Sequence, residues 1–173
     1  MHRFTIFTVL AAVAMLTEAA PGGGYYSRKS YKKPCKNLVD VAAGDARFSI
    51  LVAVLKDLGL VNALRNIPAA TVFAPTDDAF NKIAAVLPTL SKADKLKIVK
   101  RHVIPKKTIK AADVPASASV GTLGGRGANI DVVKDAEGVG VSFKGGARAN
   151  VKIADVEACN GVIHAIDTVI LPP

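Results

Sequence analysis

The sequence predicts an α+β fold, with helices in the first half of the chain and mainly antiparallel strands in the second. Three observations support this prediction. Apolar residues recur at helical spacing up to residue 101, and capping residues precede these segments. After Pro105, short apolar runs alternate with glycine-rich turns, as in antiparallel strands. The strands follow the helices instead of alternating with them, which indicates α+β rather than a parallel sheet.

The first helices each begin after a residue suited to capping. Asn37 precedes a short predicted helix over 38–43, and Asp45 precedes a longer one that Gly59 ends. A further turn of helix is expected over 60–65.

A short buried strand is predicted over 71–73, followed by two more helices. Thr76 is the expected N-cap of the first. Ser91 with Asp94 three residues later forms a capping box that opens the second, which extends through Arg101.

Five strands are predicted after Pro105. Asn160-Gly161 predicts a type I′ turn of the kind that joins hairpin strands. The predicted strands cover residues 120–123, 129–133, 139–143, 151–153 and 162–170.

Residues 1–19 are predicted to be a secretory signal peptide. A positive start is followed by thirteen residues, 4–16, in which only two threonines interrupt the apolar run, and small residues precede a cut after Ala19. The alternative is a transmembrane anchor, but spanning a bilayer takes about 20 apolar residues. We therefore expect a chain secreted to the extracellular matrix, with no membrane anchor.

Residues 20–36 are predicted to form a flexible basic leader. The net charge is +9 and stays +9 in the mature chain, because the signal peptide contains one Arg and one Glu. The leader contains five cations and no acid, which leaves 9 − 5 = +4 for the rest. These cations are Arg28, Lys29, Lys32, Lys33 and Lys36.

All the tyrosines lie in this leader, namely Tyr25, Tyr26 and Tyr31. Oxidised tyrosines beside lysines could cross-link to amines or surfaces. A plain flexible leader is the alternative.

Two cysteines in an exported chain predict a disulfide between Cys35 and Cys159. The alternatives are free thiols and intermolecular pairing.

Two segments resemble the paired signature motifs of the fasciclin domain. They are TVFAPTDDAF at 71–80 and NGVIHAIDTVILPP at 160–173, and the match covers 37–173. The resemblance implies one domain over 37–173, a wedge of mainly antiparallel β-strands flanked by several α-helices. The motifs are rich in apolar strand residues, so we expect them to act mainly as framework.

The resemblance also implies an adhesion site. In matrix fasciclin proteins an Asp-Ile element just before the second motif is implicated in integrin binding, and here that register holds Asp155 and Val156. A Tyr-His pair is also cited for adhesion, and here it is Arg101-His102, without the tyrosine. The expected partners are extracellular-matrix proteins, integrin-type receptors or sulfated polysaccharides.

A second candidate surface is a basic cluster around His102. Together with Arg28, Lys29, Lys32 and Lys33 of the leader it suits sulfated polysaccharide, whereas the alternative is a solvated helix face. No nucleic acid is expected, because the basic face lacks an aromatic platform. The cluster comprises Lys97, Lys100, Arg101, Lys106, Lys107 and Lys110.

No enzyme, cofactor or metal site is predicted. The chain has no G-x-S-x-G, H-E-x-x-H or P-loop motif. Neither His102 nor His164 has metal-ligand spacing to a cysteine, and His164 is expected to be a hydrogen-bonded core residue. The predicted function is an adhesion or matrix-binding module. The alternative is a structural component of a secreted material, with the leader binding anionic polymer or cross-linking.

Overall fold

The computed structural model describes residues 35–171 and has the predicted α+β fold. Five α-helices come from the first part of the chain: α1 Leu38–Ala43, α2 Ser49–Asp57, α3 Val61–Asn66, α4 Asp77–Asn81 and α5 Lys92–Arg101. Seven strands complete it: β1 Ala70–Pro75, β2 Val103–Pro105, β3 Ser117–Val120, β4 Ile130–Asp135, β5 Gly138–Ser142, β6 Ala149–Ala158 and β7 Gly161–Ile166.

The predicted helix caps are confirmed by hydrogen bonds. The Asn37 side chain accepts from the second and third backbone N–H groups of α1. Thr76 accepts from Ala79 at the start of α4. In α5, the Ser91 hydroxyl accepts from the Asp94 N–H at 3.1 Å and donates to its carboxylate at 2.6 Å.

The helix predicted after Asp45 is divided. Asp45 caps a 3₁₀ turn over Ala46–Phe48, and α2 starts only at Ser49. Gly59 follows α2 and has φ at +67°. This left-handed conformation commonly ends helices, and glycine adopts it with little strain.

The strands form one curled mixed sheet in the order β2-β1-β7-β6-β5-β4-β3. Among the described strand pairs only β1 and β7 are parallel, with residues 70–75 paired to 161–166. Beyond edge strand β3, Leu123 donates its N–H to the Val103 carbonyl of β2 at 2.9 Å. Since β2 is the opposite edge, the sheet is nearly closed.

Three predicted strands differ from the observed ones by three residues or more at one or both ends, and the others by one or two residues. β3 covers 117–120 and not 120–123, because its small residues give no hydrophobic alternation. β6 extends over 149–158, and a bulge within it breaks the period that marks a strand. β7 ends at Ile166, after which Asp167 bonds Asn150 through both its N–H and its carboxylate.

The hairpin between β6 and β7 is confirmed, but its predicted turn type is wrong. Ala158 pairs with Gly161, so the turn residues are Cys159 and Asn160, and neither has the positive φ of a type I′ turn. Gly161 instead begins β7, where a Cβ would lie 2.0 Å from the Ala70 carbonyl oxygen. The glycine lets β7 lie against β1.

The core has two parts. One lies between the helices and the sheet and includes Phe48, Leu55 and Ile163. The other lies within the curled sheet and includes Phe73 and Ile166. The apolar side chains of both sequence motifs are therefore mainly buried.

Candidate binding surfaces

Strand β6 has a bulge where it faces His164. Ile153 pairs with Ala165 and Val156 pairs with Ile163, so two residues of β6 oppose one of β7. Asp155 lies in this bulge with φ at +59°, a conformation that Asp adopts more readily than most residues. Such strained positions often occur at functional sites.

The bulge holds the Asp155 carboxylate at the surface. One oxygen accepts the Ala111 N–H at 2.9 Å, and the side chain is 37% exposed. Within the part of the chain that the structure describes, the other oxygen has no hydrogen-bond donor. The carboxylate is thus both oriented and able to accept a further bond.

Lys110 and Glu157 lie beside Asp155. The ammonium of Lys110 is 2.8 Å from a carboxylate oxygen of Glu157, and this bond raises the pKa of Lys110. Glu157 was not among the predicted site residues, although its position two residues from Asp155 on one strand could have indicated it. Val156 packs against the helix-side core and is only partly exposed.

His164 of β7 lies opposite the bulge and hydrogen-bonds to its backbone. Its Nε2 donates to the Ile109 carbonyl at 2.8 Å, while Nδ1 accepts the Asp155 N–H at 3.3 Å. The ring stacks on Phe73 with centroids 5.4 Å apart, and burial lowers its pKa. His164 is the hydrogen-bonded core residue that the sequence predicts.

His102 is not at the surface, which corrects its prediction as an adhesion contact. It is buried, Nδ1 donates to the Ile98 carbonyl at 2.8 Å, and Nε2 accepts the Ile170 N–H at 3.0 Å. Burial lowers its pKa to about 4. Because both ring nitrogens are bonded within the domain, neither remains for a partner.

The predicted basic cluster is divided among several places. Lys97 and Arg101 line one groove, Lys100 lines a second depression, and Lys110 lines a third. Lys97 pairs with Asp94 at 3.3 Å, and Lys110 pairs with Glu157. Lys106 and Lys107 are exposed on the loop after β2. Four of the six residues thus line three separate depressions, and the other two lie on the loop after β2.

The structure contains the Cys35–Cys159 disulfide, with α-carbons 5.6 Å apart. Cys159 also donates its N–H to the Lys36 carbonyl at 2.9 Å. The last leader residues are therefore held beside the β6–β7 hairpin. The signal peptide and the other predicted leader residues, Arg28, Lys29, Lys32, Lys33, Tyr25, Tyr26 and Tyr31, lie outside the described residues.

Residues 35–171 hold neither a metal-binding cluster nor a membrane-spanning helix. These residues contain no group of three or more His, Cys, Asp or Glu side chains placed to hold a metal ion. None of their helices is both long and apolar enough to cross a membrane.

This arrangement of a curled sheet, flanking helices and two strand motifs has a match among known families. The fasciclin domain model matches residues 46–172. The chain belongs to the fasciclin family. Its members include cell-adhesion proteins.

Curated relatives of this fasciclin chain come from bacteria and mammals. Protein sll1483 of Synechocystis sp. is 47% identical over 143 residues, which cover 79% of this chain and 73% of the relative. Protein sll1735 of the same organism is 37% identical over 138 residues, which cover 78% of this chain and 97% of the relative. Transforming growth factor-beta-induced protein ig-h3 of Sus scrofa is 31% identical over 81% of this chain, which spans only 20% of that protein.

A solved structure shares the fold. The FAS1 domain pair of the insect cell adhesion molecule fasciclin I aligns with a TM-score of 0.65 and 22% identity. The alignment covers 79% of this chain and 51% of the pair.

Proposed function

We propose that this fasciclin domain is an extracellular binding module that contacts a protein partner through the carboxylate of Asp155. The observation that carries the proposal is the bulge, which orients one oxygen through Ala111 and leaves the other able to accept a bond. Membership of a family that includes cell-adhesion proteins supports binding as the activity. The predicted signal peptide supports an extracellular location.

An integrin-type receptor suits this carboxylate. Such a receptor presents a divalent cation with an open coordination position, and carboxylate oxygens are hard ligands for Mg²⁺ and Ca²⁺. Because Asp155 is already held in place, little side-chain freedom is lost on binding. Val156 contributes only through the part of its side chain that the core leaves exposed.

Asp155→Asn is the sharpest test. Asn still accepts the Ala111 N–H and tolerates the left-handed φ, but it has no charge to offer a cation. We expect cells to attach poorly to surfaces coated with this variant, and attachment to the unmodified protein to be abolished by EDTA. Glu137→Gln, which removes an exposed carboxylate from the turn between β4 and β5, should leave attachment unchanged. Full attachment to Asp155→Asn would reject the proposal.

The second candidate is a structural component of a secreted material, in which the leader binds anionic polymer or cross-links through its tyrosines. The charge distribution favours it, because the leader contains five of the nine net positive charges. Lys106 and Lys107 add exposed charge on the domain itself.

Heparin chromatography tests this candidate. Deleting residues 20–34 removes Arg28, Lys29, Lys32 and Lys33 but keeps Cys35, so the charge falls to 9 − 4 = +5 with the disulfide intact. We expect the mature chain to elute well above about 150 mM salt and the deletion variant markedly earlier. The Lys106→Gln/Lys107→Gln variant should shift elution less. If the mature chain elutes below about 150 mM salt, polyanion binding is excluded as a function.

A further inference from the structure

Arg101 is a half-buried arginine with no counter-ion in the described part of the chain. Three other arginines of the described chain form ion pairs, Arg47 with Asp45, Arg65 with Asp40 and Arg148 with Asp135. Among residues 35–171, Arg101 has no such partner, and its Nε and Nη1 are buried without a hydrogen bond. Buried donors without acceptors are rare because each costs about 1–3 kcal/mol.

Among the described residues, packing and not hydrogen bonding holds the guanidinium in place. It lies over the ring of Phe143, with its central carbon 4.4 Å from the ring centroid. The stem passes Gly124, where a Cβ would lie 3.3 Å from the Arg101 Cγ. Within the described part of the chain no hydrogen bond ties the terminal torsions, so turning the group towards an acceptor breaks no such bond.

A second cation is close to the same ring. The Lys144 ammonium is 5.6 Å from the Phe143 centroid, and the backbone of Lys144 has φ at +45°, a strained conformation for lysine. No carboxylate of the described chain forms a salt bridge with Lys144 or Arg101. Two cations on one ring, neither paired with a carboxylate of residues 35–171, favour the approach of an anion.

Arg101 also lines a surface groove of about 350 Å³. Its walls include Val86, Leu90 and Leu171, and Val86 is 45% exposed, unusually so for a large apolar side chain. Lys97 and Asp94 lie in the same groove and pair with each other, which leaves Arg101 as its uncompensated charge.

We propose that this groove binds an acidic peptide segment of a partner protein. One carboxylate of the segment pairs with Arg101, and an aliphatic side chain beside that carboxylate packs against Val86, Leu90 and Leu171. Pairing supplies an acceptor to donors that have none among residues 35–171, and a guanidinium binds a carboxylate through two parallel hydrogen bonds. The site is distinct from the Asp155 surface and does not depend on it.

The walls favour a peptide over sulfated polysaccharide. A polysaccharide has no aliphatic side chain that could pack against Val86, Leu90 and Leu171. Its dense negative charge would also face Asp94 in the groove. A peptide with a single carboxylate next to an apolar side chain can contact the apolar walls and carries little charge to be repelled by Asp94.

The test is a ¹H–¹⁵N NMR titration of the mature protein with the dipeptide acetyl-Leu-Asp-amide. We expect shifts at the Arg101 Nε–H and at the backbone amides of Leu90 and Leu171. Acetyl-Leu-Asn-amide and acetyl-Gly-Asp-amide, which lack the charge or the apolar group, should bind at least about fivefold more weakly.

Variants separate the contributions of the groove residues. Arg101→Gln should weaken binding about tenfold or more, and the surface change Val86→Ser about threefold. Lys144→Gly should weaken binding while raising the melting temperature, since glycine suits the left-handed backbone. Lys56→Gln, an exposed lysine of α2, is the matched control and should change nothing.

Several results would overturn the proposal. One is an absence of shifts at Arg101, and another is an equal response to inorganic sulfate or to a heparin disaccharide. Chemical-shift changes at the groove residues could also grow with protein concentration in the absence of peptide. That result would instead assign the groove to a second copy of this chain. Unchanged peptide affinity in Val86→Ser would contradict the proposed apolar contact. This result can be obtained even if Arg101→Gln fails to fold.

Discussion

His102 and His164 are both buried, and each uses one ring nitrogen as a donor and the other as an acceptor. This pattern requires the neutral ring, because a protonated imidazole has two donors and no acceptor. In His102 protonation would set a second N–H against the Ile170 N–H. The histidines therefore couple the fold to pH.

We predict that stability falls on mild acidification. The pKa of His102 is about 4 in the folded protein, below about 6.5 in the unfolded chain. Its contribution is fully present above pH 6.5 and is lost as the pH falls towards 4. His102 alone should lower the free energy of unfolding by about 2 kcal/mol between pH 7.5 and pH 5, measured by denaturant titration.

His102→Gln is the control for this prediction. It should be less stable than the unmodified protein at pH 7.5 because the two ring contacts are lost. Its stability should nevertheless change less with pH, with His164 accounting for the remaining slope. An unchanged slope in this variant would show that His102 is not the titrating group.

At the scale of elements, the contact between β1 and β7 joins the two sequence motifs in parallel register. This contact depends on Gly161 at the start of β7, where there is no room for a side chain. Asn160 reinforces the junction: its side chain accepts the Leu38 N–H and donates to the carbonyls of Leu64 and Ile67. The hairpin turn is thus tied to both α1 and the end of α3.

We predict that Gly161→Ala destabilises the protein by about 3 kcal/mol or more, because the new Cβ would overlap the Ala70 carbonyl and separate the strands. Thermal unfolding followed by circular dichroism measures the loss. Gly121→Ala is the matched control: its φ is not positive and its nearest neighbour would be 3.7 Å away, so we expect a change below about 1 kcal/mol. Equal effects of the two substitutions would contradict the packing argument.

At the scale of the whole molecule, the disulfide joins residues 124 positions apart. It closes nearly all of the folded domain into one loop and fixes the end of the leader at the hairpin. In the chain-entropy model the stabilisation grows with the length of the closed loop.

We predict that the double variant Cys35→Ser/Cys159→Ser loses about 4 kcal/mol of unfolding free energy. Both cysteines are exposed, so few core contacts change with the substitution. Denaturant titration of the variant and of the oxidised protein gives the difference. A loss below about 1 kcal/mol would show that the unfolded chain is already restricted in this loop.

The sequence by itself determined the fold class, the helix caps and the family. Asn37, Thr76 and Ser91 cap helices through contacts within three residues, so local chemistry is enough to predict them. The strands of the two motifs could also be predicted from sequence, because buried strands consist mainly of apolar residues.

Only the tertiary structure decided the geometry of the two proposed binding surfaces, because this geometry depends on residues far apart in the chain. The bulge that orients Asp155 requires His164 and Ala111. Arg101 lies on Phe143, 42 residues away (143 − 101), and no local pattern indicates that it has no acceptor in the described part of the chain. His102 and Lys97 share a helix segment in the sequence, but packing buries one and exposes the other.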